Sequence, residues 1–256
     1  MIDFSFLKRG DIIGHGASSR VYKYCYLKKD VAMKILSPEL TDEVLDAFVH
    51  EANLMLTFDH RNIVKFYGIC VRPPQIGLVV ELCSQGDLKG HLKTKSHYWS
   101  PPRKLRACLE CAAALAYLHS HNIIHRDVKC HNFFVDNNYT VKLGDFGESS
   151  VKDPVRNMTI LGTVGYMSPE LIAGDKHYTT AIDIYALAVT VNEIWVGEEP
   201  FCDITNFLKI YDLVLNGTRP TLTSDAPPTV IRLIQVRTNR DIVLSTGMCF
   251  NYFFPF

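Results

Sequence analysis

Apolar positions along the chain change their period near residue 85. Residues 6–14 and 20–27 are rich in Ile, Val and Tyr with glycines between them, and they predict two strands. Residues 30–36 (DVAMKIL) predict a third. Thr41-Asp42-Glu43 then supplies N-cap chemistry, and Val44, Phe48, Ala52, Met55 and Leu56 follow at helical spacing. Two more strands are expected near 63–69 and 76–82. After Ser84-Gln85-Gly86-Asp87 the pattern turns helical: Pro101-Pro102 opens a helix running to about His121, and further helices are expected near 179–196, 205–215 and 228–235. Short strand-like pieces at 133–136 and 140–143 lie between them. A strand-rich α+β lobe thus joins a helix-rich lobe, and clefts between lobes are where small ligands sit.

Composition narrows the function classes. At roughly 100–200 residues per domain, 256 residues allow one large domain or two tightly packed lobes. Lys+Arg and Asp+Glu both number 27, which argues against a strongly electrostatic nucleic-acid binder. With 47% hydrophobic and 21% charged residues, disorder is excluded as the dominant state. The most apolar helix candidate, 181–196, carries Asp183, Asn192 and Glu193 and falls short of about 20 apolar residues, so no membrane segment is expected. Eight cysteines without a signal-like start read as reduced thiols, and a cytoplasmic or nuclear location is expected. Cys108-x-x-Cys111 falls inside a helical pattern with no second pair at zinc spacing, so it reads as helix packing.

Four stretches carry chemistry. Gly14-His15-Gly16-Ala17-Ser18-Ser19-Arg20-Val21 is a glycine-rich turn that opens a strand and not a helix, which argues against a dinucleotide fold. It is either an ordinary hairpin turn or a loop that offers backbone N–H groups to phosphates. Lys34, in Val31-Ala32-Met33-Lys34, needs an anionic partner if it faces inward, and Glu51 on the next helix is the natural one. Otherwise it is a surface lysine. His125-Arg126-Asp127-Val128-Lys129-Cys130-His131-Asn132 brings together an acid able to accept a hydroxyl proton, a lysine able to steady phosphate and an amide able to bind a metal ion. In Leu143-Gly144-Asp145-Phe146-Gly147 the glycines allow a sharp turn, and an aspartate with a nearby asparagine suits a hard cation such as Mg²⁺.

Taken with Ser168-Pro169-Glu170, these stretches occur in the order and at the spacing of eukaryotic protein kinases, and the chain resembles that family over roughly residues 6–235. The resemblance implies a bilobal protein-kinase-like α+β fold. Its N-lobe (about 6–80) has five antiparallel strands and one main helix, a hinge lies at about 81–86, and a mostly helical C-lobe spans about 87–235. It implies ATP and Mg²⁺ (or Mn²⁺) as cofactors and proteins as substrates. Ile13, Gly14, Gly16, Val21 and Ala32 would enclose ATP, and Lys34 would hold its α/β-phosphates while paired with Glu51. Glu81 to Cys83 would form the hinge, and Asp87 could reach the ribose. Asp127 would be the catalytic base, Lys129 would contact the γ-phosphate, and Asn132 and Asp145 would bind the metal. Arg126 could receive a phosphate from the segment between Asp145 and Glu170, where Ser149, Ser150, Thr159 and Thr163 are candidates. Thr163 is the least expected of these, because its position in the family bonds the catalytic loop.

Lys129, two residues after Asp127, matches the Ser/Thr-directed type, whereas HRNIVKFYGIC and ELCSQGDLKGHL look tyrosine-kinase-like. The set resembles the tyrosine-kinase-like group, which mostly phosphorylates Ser/Thr; dual or tyrosine specificity is the alternative. Ser19 replaces the third loop glycine, Ser168 the usual Ala, and Ala188 a usual Gly, and none of these removes a catalytic group. Residues 236–256 depart further. The resemblance stops abruptly after Gln235, as in-frame read-through of an intron would produce, and the arginine expected to pair with Glu170 is missing unless Arg237 or Arg240 reaches it. That ending makes a non-catalytic kinase-fold interaction module the rival reading; a small-molecule kinase is a third. The substrate and the upstream activator are not legible.

Overall fold

Alternation of branched and polar residues in the first 81 positions builds one sheet. A computed structural model of the chain describes residues 1–15, 19–36, 41–72, 75–151, 162–175, 177–222 and 225–238. Strands β1 (Leu7–His15), β2 (Ser19–Tyr26), β3 (Lys29–Leu36), β4 (Phe66–Arg72) and β5 (Gln75–Glu81) lie in the order β1-β2-β3-β5-β4, with every neighbouring pair antiparallel. The two-residue period sends Val31, Met33 and Ile35 to one face, where they pack with Tyr24, Cys70, Val79 and the N-terminal Ile2. Ala32 and Lys34 therefore point to the other face. Helix α1 (Asp42–Leu56) packs beside β4; its N-cap Thr41 accepts a bond from the Val44 N–H at 3.4 Å, and Asp42 and Glu43 suit the positive end of the helix.

The second lobe is helical. Helix α2 (Leu88–Thr94) is capped by Asp87, whose Oδ1 accepts from Gly90 N at 2.8 Å. Helix α3 (Pro101–Ser120) opens on proline and buries Cys108 and Cys111 on its inner face. Burial pushes the Cys108 thiol up to about 12, and Cys111 is raised for the same reason, so both are inert packing groups. Strand β6 (Ile123–Ile124) later pairs with β9 (Ser150–Val151), and β7 (Phe133–Val135) with β8 (Val141–Leu143). Short α4 (Pro169–Ile172) precedes α5 (Ala181–Val196), in which every residue from Ile182 to Trp195 is buried. Gly197, at φ 85°, stops α5 in a left-handed turn. Helices α6 (Phe207–Leu215) and α7 (Pro228–Thr238) close the described part. No helix among the described residues is long and apolar enough to cross a membrane.

Three places differ from the sequence pattern. The fourth strand was expected at 63–69 but runs Phe66–Arg72, because Ile63 bridges to Leu143 and Val64 N donates to Leu143 O at 2.9 Å. Those apolar residues serve the β8 contact instead of the sheet. Strands β6 and β9 are two residues long and carry no periodic signal. Helices α2 and α4 are likewise too short to show one. At the base of the helical lobe a cavity of ≈ 360 Å³ opens between α5, α6 and α7, lined by Val189, Asn192, Val214, Leu222 and Ile234. Glu170 is half-buried and has no salt bridge among the described residues. Arg237 is buried with its Nε unpartnered among them, and Arg240 and the rest of 239–256 lie outside the described residues.

A neutral histidine fastens α2. His91 is buried and meets Tyr98, Trp99 and Tyr139 edge-on, while its Nδ1 accepts the Trp99 Nε1–H at 3.1 Å. Burial, aided by the nearby Lys95 cation, lowers its pKa from the ordinary 6.5. The unfolded chain therefore takes up a proton that the folded chain refuses. This stabilisation is complete above pH 6.5 and is lost as pH falls towards the lower folded value. His60 and His131 shift the same way, so the difference between variants isolates His91. Thermal unfolding followed from pH 7.5 to 5.5 is expected to show a smaller fall in Tm for His91→Phe than for the native chain. Equal slopes would show that His91 does not carry this dependence.

Candidate functional site

The sheet face that carries Ala32 and Lys34 and the start of the helical lobe enclose a cleft of ≈ 520 Å³, within the range of small-molecule sites. Ile13, Gly14, Val21, Ala32, Lys34, Glu81, Cys83 and Asp87 all line it, with Asn132 and Asp145 at its far end. Gly16 lies outside the described residues. Asp87 commits one carboxylate oxygen to capping α2 and presents the rest of its side chain to the cleft. Burial pushes the Cys83 thiol up to about 12, so it meets a ligand as a neutral group.

Lys34 is held from two sides. Its Nζ lies 2.9 and 3.0 Å from the Glu51 carboxylate oxygens and 2.9 Å from Asp145 Oδ1. The inward reading of Lys34 is the one realised. Burial alone would lower its pKa; the Glu51 and Asp145 charges outweigh that and hold it above its ordinary value, so it stays cationic. Desolvation works to raise Asp145, but Lys34 keeps it below its ordinary 3.8 and ionised.

The stretch from His125 to Asn132 brings its polar groups to one point. Asp127 Oδ1 accepts from Thr163 Oγ1 at 3.0 Å, and Asp127 Oδ2 lies 2.6 Å from Lys129 Nζ and 2.9 Å from Asn132 Nδ2. Lys129 also donates to Thr163 Oγ1 at 2.6 Å. Asn132 Nδ2 reaches the Asp127 carbonyl as well, at 2.8 Å, which leaves its amide oxygen for a cation. Asn132 and Asp145 both line the cleft, so this oxygen and the Asp145 carboxylate could supply two ligands to a cation there. Among the described residues no cluster of three or more His, Cys, Asp or Glu could cage a metal. Two protein ligands completed by substrate oxygens is how Mg²⁺ is usually held, so the residues fit that ion.

Two supporting residues were not legible as such. Asp183 on α5 accepts from the backbone N–H groups of His125 (2.8 Å) and Arg126 (2.9 Å). His125 is fully buried; its Nδ1 accepts the Asp127 N–H at 3.3 Å and its Nε2 lies 3.2 Å from the Gly144 carbonyl, tying the two motifs together. Sequence distance hides both contacts, although an aspartate inside an apolar helix is itself a signal that a buried acceptor is needed. Val80 and Phe134, apolar walls of the cleft, read only as strand residues.

The regulatory candidates separate. Thr163 is engaged with Asp127 and Lys129, as its position suggested. Ser149 is buried, with its hydroxyl 3.4 Å from the His125 carbonyl, so a phosphate there requires the segment to come out first. Ser150 is half-buried in β9, and Thr159 lies outside the described residues. Arg126, at φ 70°, donates from Nη1 to the Tyr178 hydroxyl at 3.3 Å, and its buried Nε has no partner among the described residues.

The chain matches the protein kinase domain family over residues 7–241. It is 32% identical to the serine/threonine-protein kinase STY46 of Arabidopsis thaliana over 91% of this chain and 41% of that protein. It is 36% identical to a probable LIM domain-containing serine/threonine-protein kinase of Dictyostelium discoideum, over 88% of this chain and 35% of that protein. It is 31% identical to the serine/threonine/tyrosine-protein kinase HT1 of Arabidopsis thaliana, over 91% of this chain and 61% of that protein. The chain thus spans less than two thirds of the length of each of these three relatives. The family match begins at the first residue of β1 and runs beyond α7, taking in sheet, hinge and helical lobe alike, and the chain belongs to the protein kinase family.

Proposed function

We propose that the chain transfers the γ-phosphoryl group of ATP to serine and threonine hydroxyls of protein substrates. The observation that carries this reading is Asp127, held by Lys129, Thr163 and Asn132, the last of which itself lines a nucleotide-sized cleft. Ile13, Val21 and Ala32 cover the base, the hinge from Glu81 to Cys83 offers it backbone hydrogen bonds, and Lys34 neutralises the α/β-phosphates. Asn132 and Asp145 would hold Mg²⁺, which supplies charge neutralisation on the phosphate oxygens. Asp127 orients the acceptor hydroxyl and takes its proton, and Lys129 stands beside it to steady the transferred group. In this chemistry positioning and charge stabilisation do most of the catalysis, so Asp127 acts mainly by orienting the acceptor hydroxyl.

Ser/Thr preference is supported by Lys129 bridging Asp127 and Thr163 and by the names of the relatives. HT1, named for serine, threonine and tyrosine, supports dual specificity as the second reading. The seven described cysteines are free thiols, consistent with the reducing cytoplasmic location we propose.

Asp127→Asn is expected to abolish transfer to a generic protein acceptor while the dissociation constant for Mg–ADP stays within about threefold, since it removes a group acting on the acceptor. Retention of more than about a tenth of kcat, a loss below ~1.4 kcal/mol, would remove Asp127 from the base role. A native chain that binds nucleotide but transfers nothing would favour the interaction-module reading.

Regulation by phosphorylation between Asp145 and Glu170 is proposed on the unpartnered Nε of Arg126. Simultaneous alanine replacement of Ser149, Ser150 and Thr159 is expected to lower kcat at least about fivefold and to abolish activation by preincubation with ATP, as loss of an Arg-captured phosphate does. Unchanged activity in the folded triple variant would mean this switch does not exist.

A further inference from the structure

Outside the catalytic groups, one sheltered ion pair joins the two ends of the cleft. Lys142 Nζ on β8 lies 3.0 Å from Glu81 Oε2 on the hinge, with side chains only 12% and 22% exposed. The same oxygen accepts the Lys65 N–H at 3.2 Å, and Glu81 N donates to Lys65 O at 2.8 Å. Strand β8 is bonded in turn to the segment before β4: Leu143 N donates to Asn62 O at 2.8 Å, and Asn62 Nδ2 to Val141 O at 2.9 Å. Gly144 and Asp145, the next two residues after β8, line the cleft beside Asn132.

A nucleotide has a fixed length, so its base and phosphate sites must be held at a fixed separation. The hinge supplies one site and the end of β8 the other. We propose that Lys142 is a positioning residue: through Glu81 it holds the adenine-side hinge in register with the strand that presents Asp145. The inference rests on the ATP reading above. An exposed pair would carry little, but this one is largely withdrawn from water and shares its acceptor with a backbone N–H. Losing the lysine leaves the Glu81 carboxylate without its cation and frees the hinge to shift relative to Asp145. Ground-state and transition-state binding of ATP then weaken together, which raises KM and spares kcat.

The test compares the native chain with Lys142→Met, Lys142→Gln and Lys142→Arg, measuring KM for ATP, KM for a protein acceptor, kcat, and Mg–ADP affinity by calorimetry. The neutral variants are expected to raise KM for ATP and the Mg–ADP dissociation constant roughly 5- to 20-fold, with kcat and acceptor KM within about twofold. Lys142→Arg should recover most of the affinity. Unchanged nucleotide affinity in a folded neutral variant overturns the proposal. So does an increase in kcat, which would make the pair a restraint on lobe motion, and so does unfolding of both neutral variants, which would make it purely structural. A native chain that binds no nucleotide removes the ATP reading, and this proposal with it, whereas native binding with indifferent variants removes this proposal alone.

Discussion

An ammonium group shared by two carboxylates holds the architecture to its purpose. Lys34 draws Glu51 from 17 residues away and Asp145 from 111 residues away onto one point at the back of the cleft. Taking an ammonium ion largely out of water costs several kcal/mol, and only close, well-aligned carboxylates offset that. The sheet, α1 and the end of β8 must therefore sit where they do for Lys34 to be tolerated. The same requirement leaves Asp145 ionised and beside Asn132, where a cation and phosphate oxygens can meet them.

The helical lobe provides the second constraint. Arg126 and Asp145 both adopt left-handed backbone conformations, at φ 70° and 58°. Such conformations cost about 1–3 kcal/mol each away from glycine. Asp183 offsets the strain at Arg126 with two charge-assisted bonds to successive backbone N–H groups, each worth about 1.5–3 kcal/mol. This explains why an almost wholly buried α5 carries an aspartate near its start. The helix acts as a post, its apolar faces locking it into the core and its one early carboxylate gripping the loop that bears Asp127.

The base of the same lobe is organised differently. Arg219 donates to the carbonyls of Val214 (2.9 Å) and Thr238 (2.6 Å), joining the ends of α6 and α7, and its guanidinium approaches the Tyr185 ring. It therefore spends its donors on helix termini, and Glu170 is left without a cation among the described residues. Asp183, which holds the loop that bears Asp127, lies near the start of α5, whereas the cavity at the base is lined by Val189 and Asn192 further along the helix.

Much of this was legible in the residues themselves. Period-two and helical patterns located the five strands, α1, α3 and α5 to within a few positions, because those elements are long enough for one buried face to repeat. Motif spacing singled out Lys34, Glu51, Asp127, Lys129, Asn132 and Asp145, and the folded chain brings Lys34 to Glu51 and Asp145, and Asp127 to Lys129 and Asn132. Contacts between distant segments were not legible. The displacement of β4 followed from Ile63 and Val64 choosing β8 over the sheet. The grip of Asp183, the burial of Ser149 and the Lys142–Glu81 pair likewise depend on which faces meet after folding. Local patterns say which side of an element is apolar; only the packed tertiary structure decides which polar group that side carries inward, and what partner it finds there.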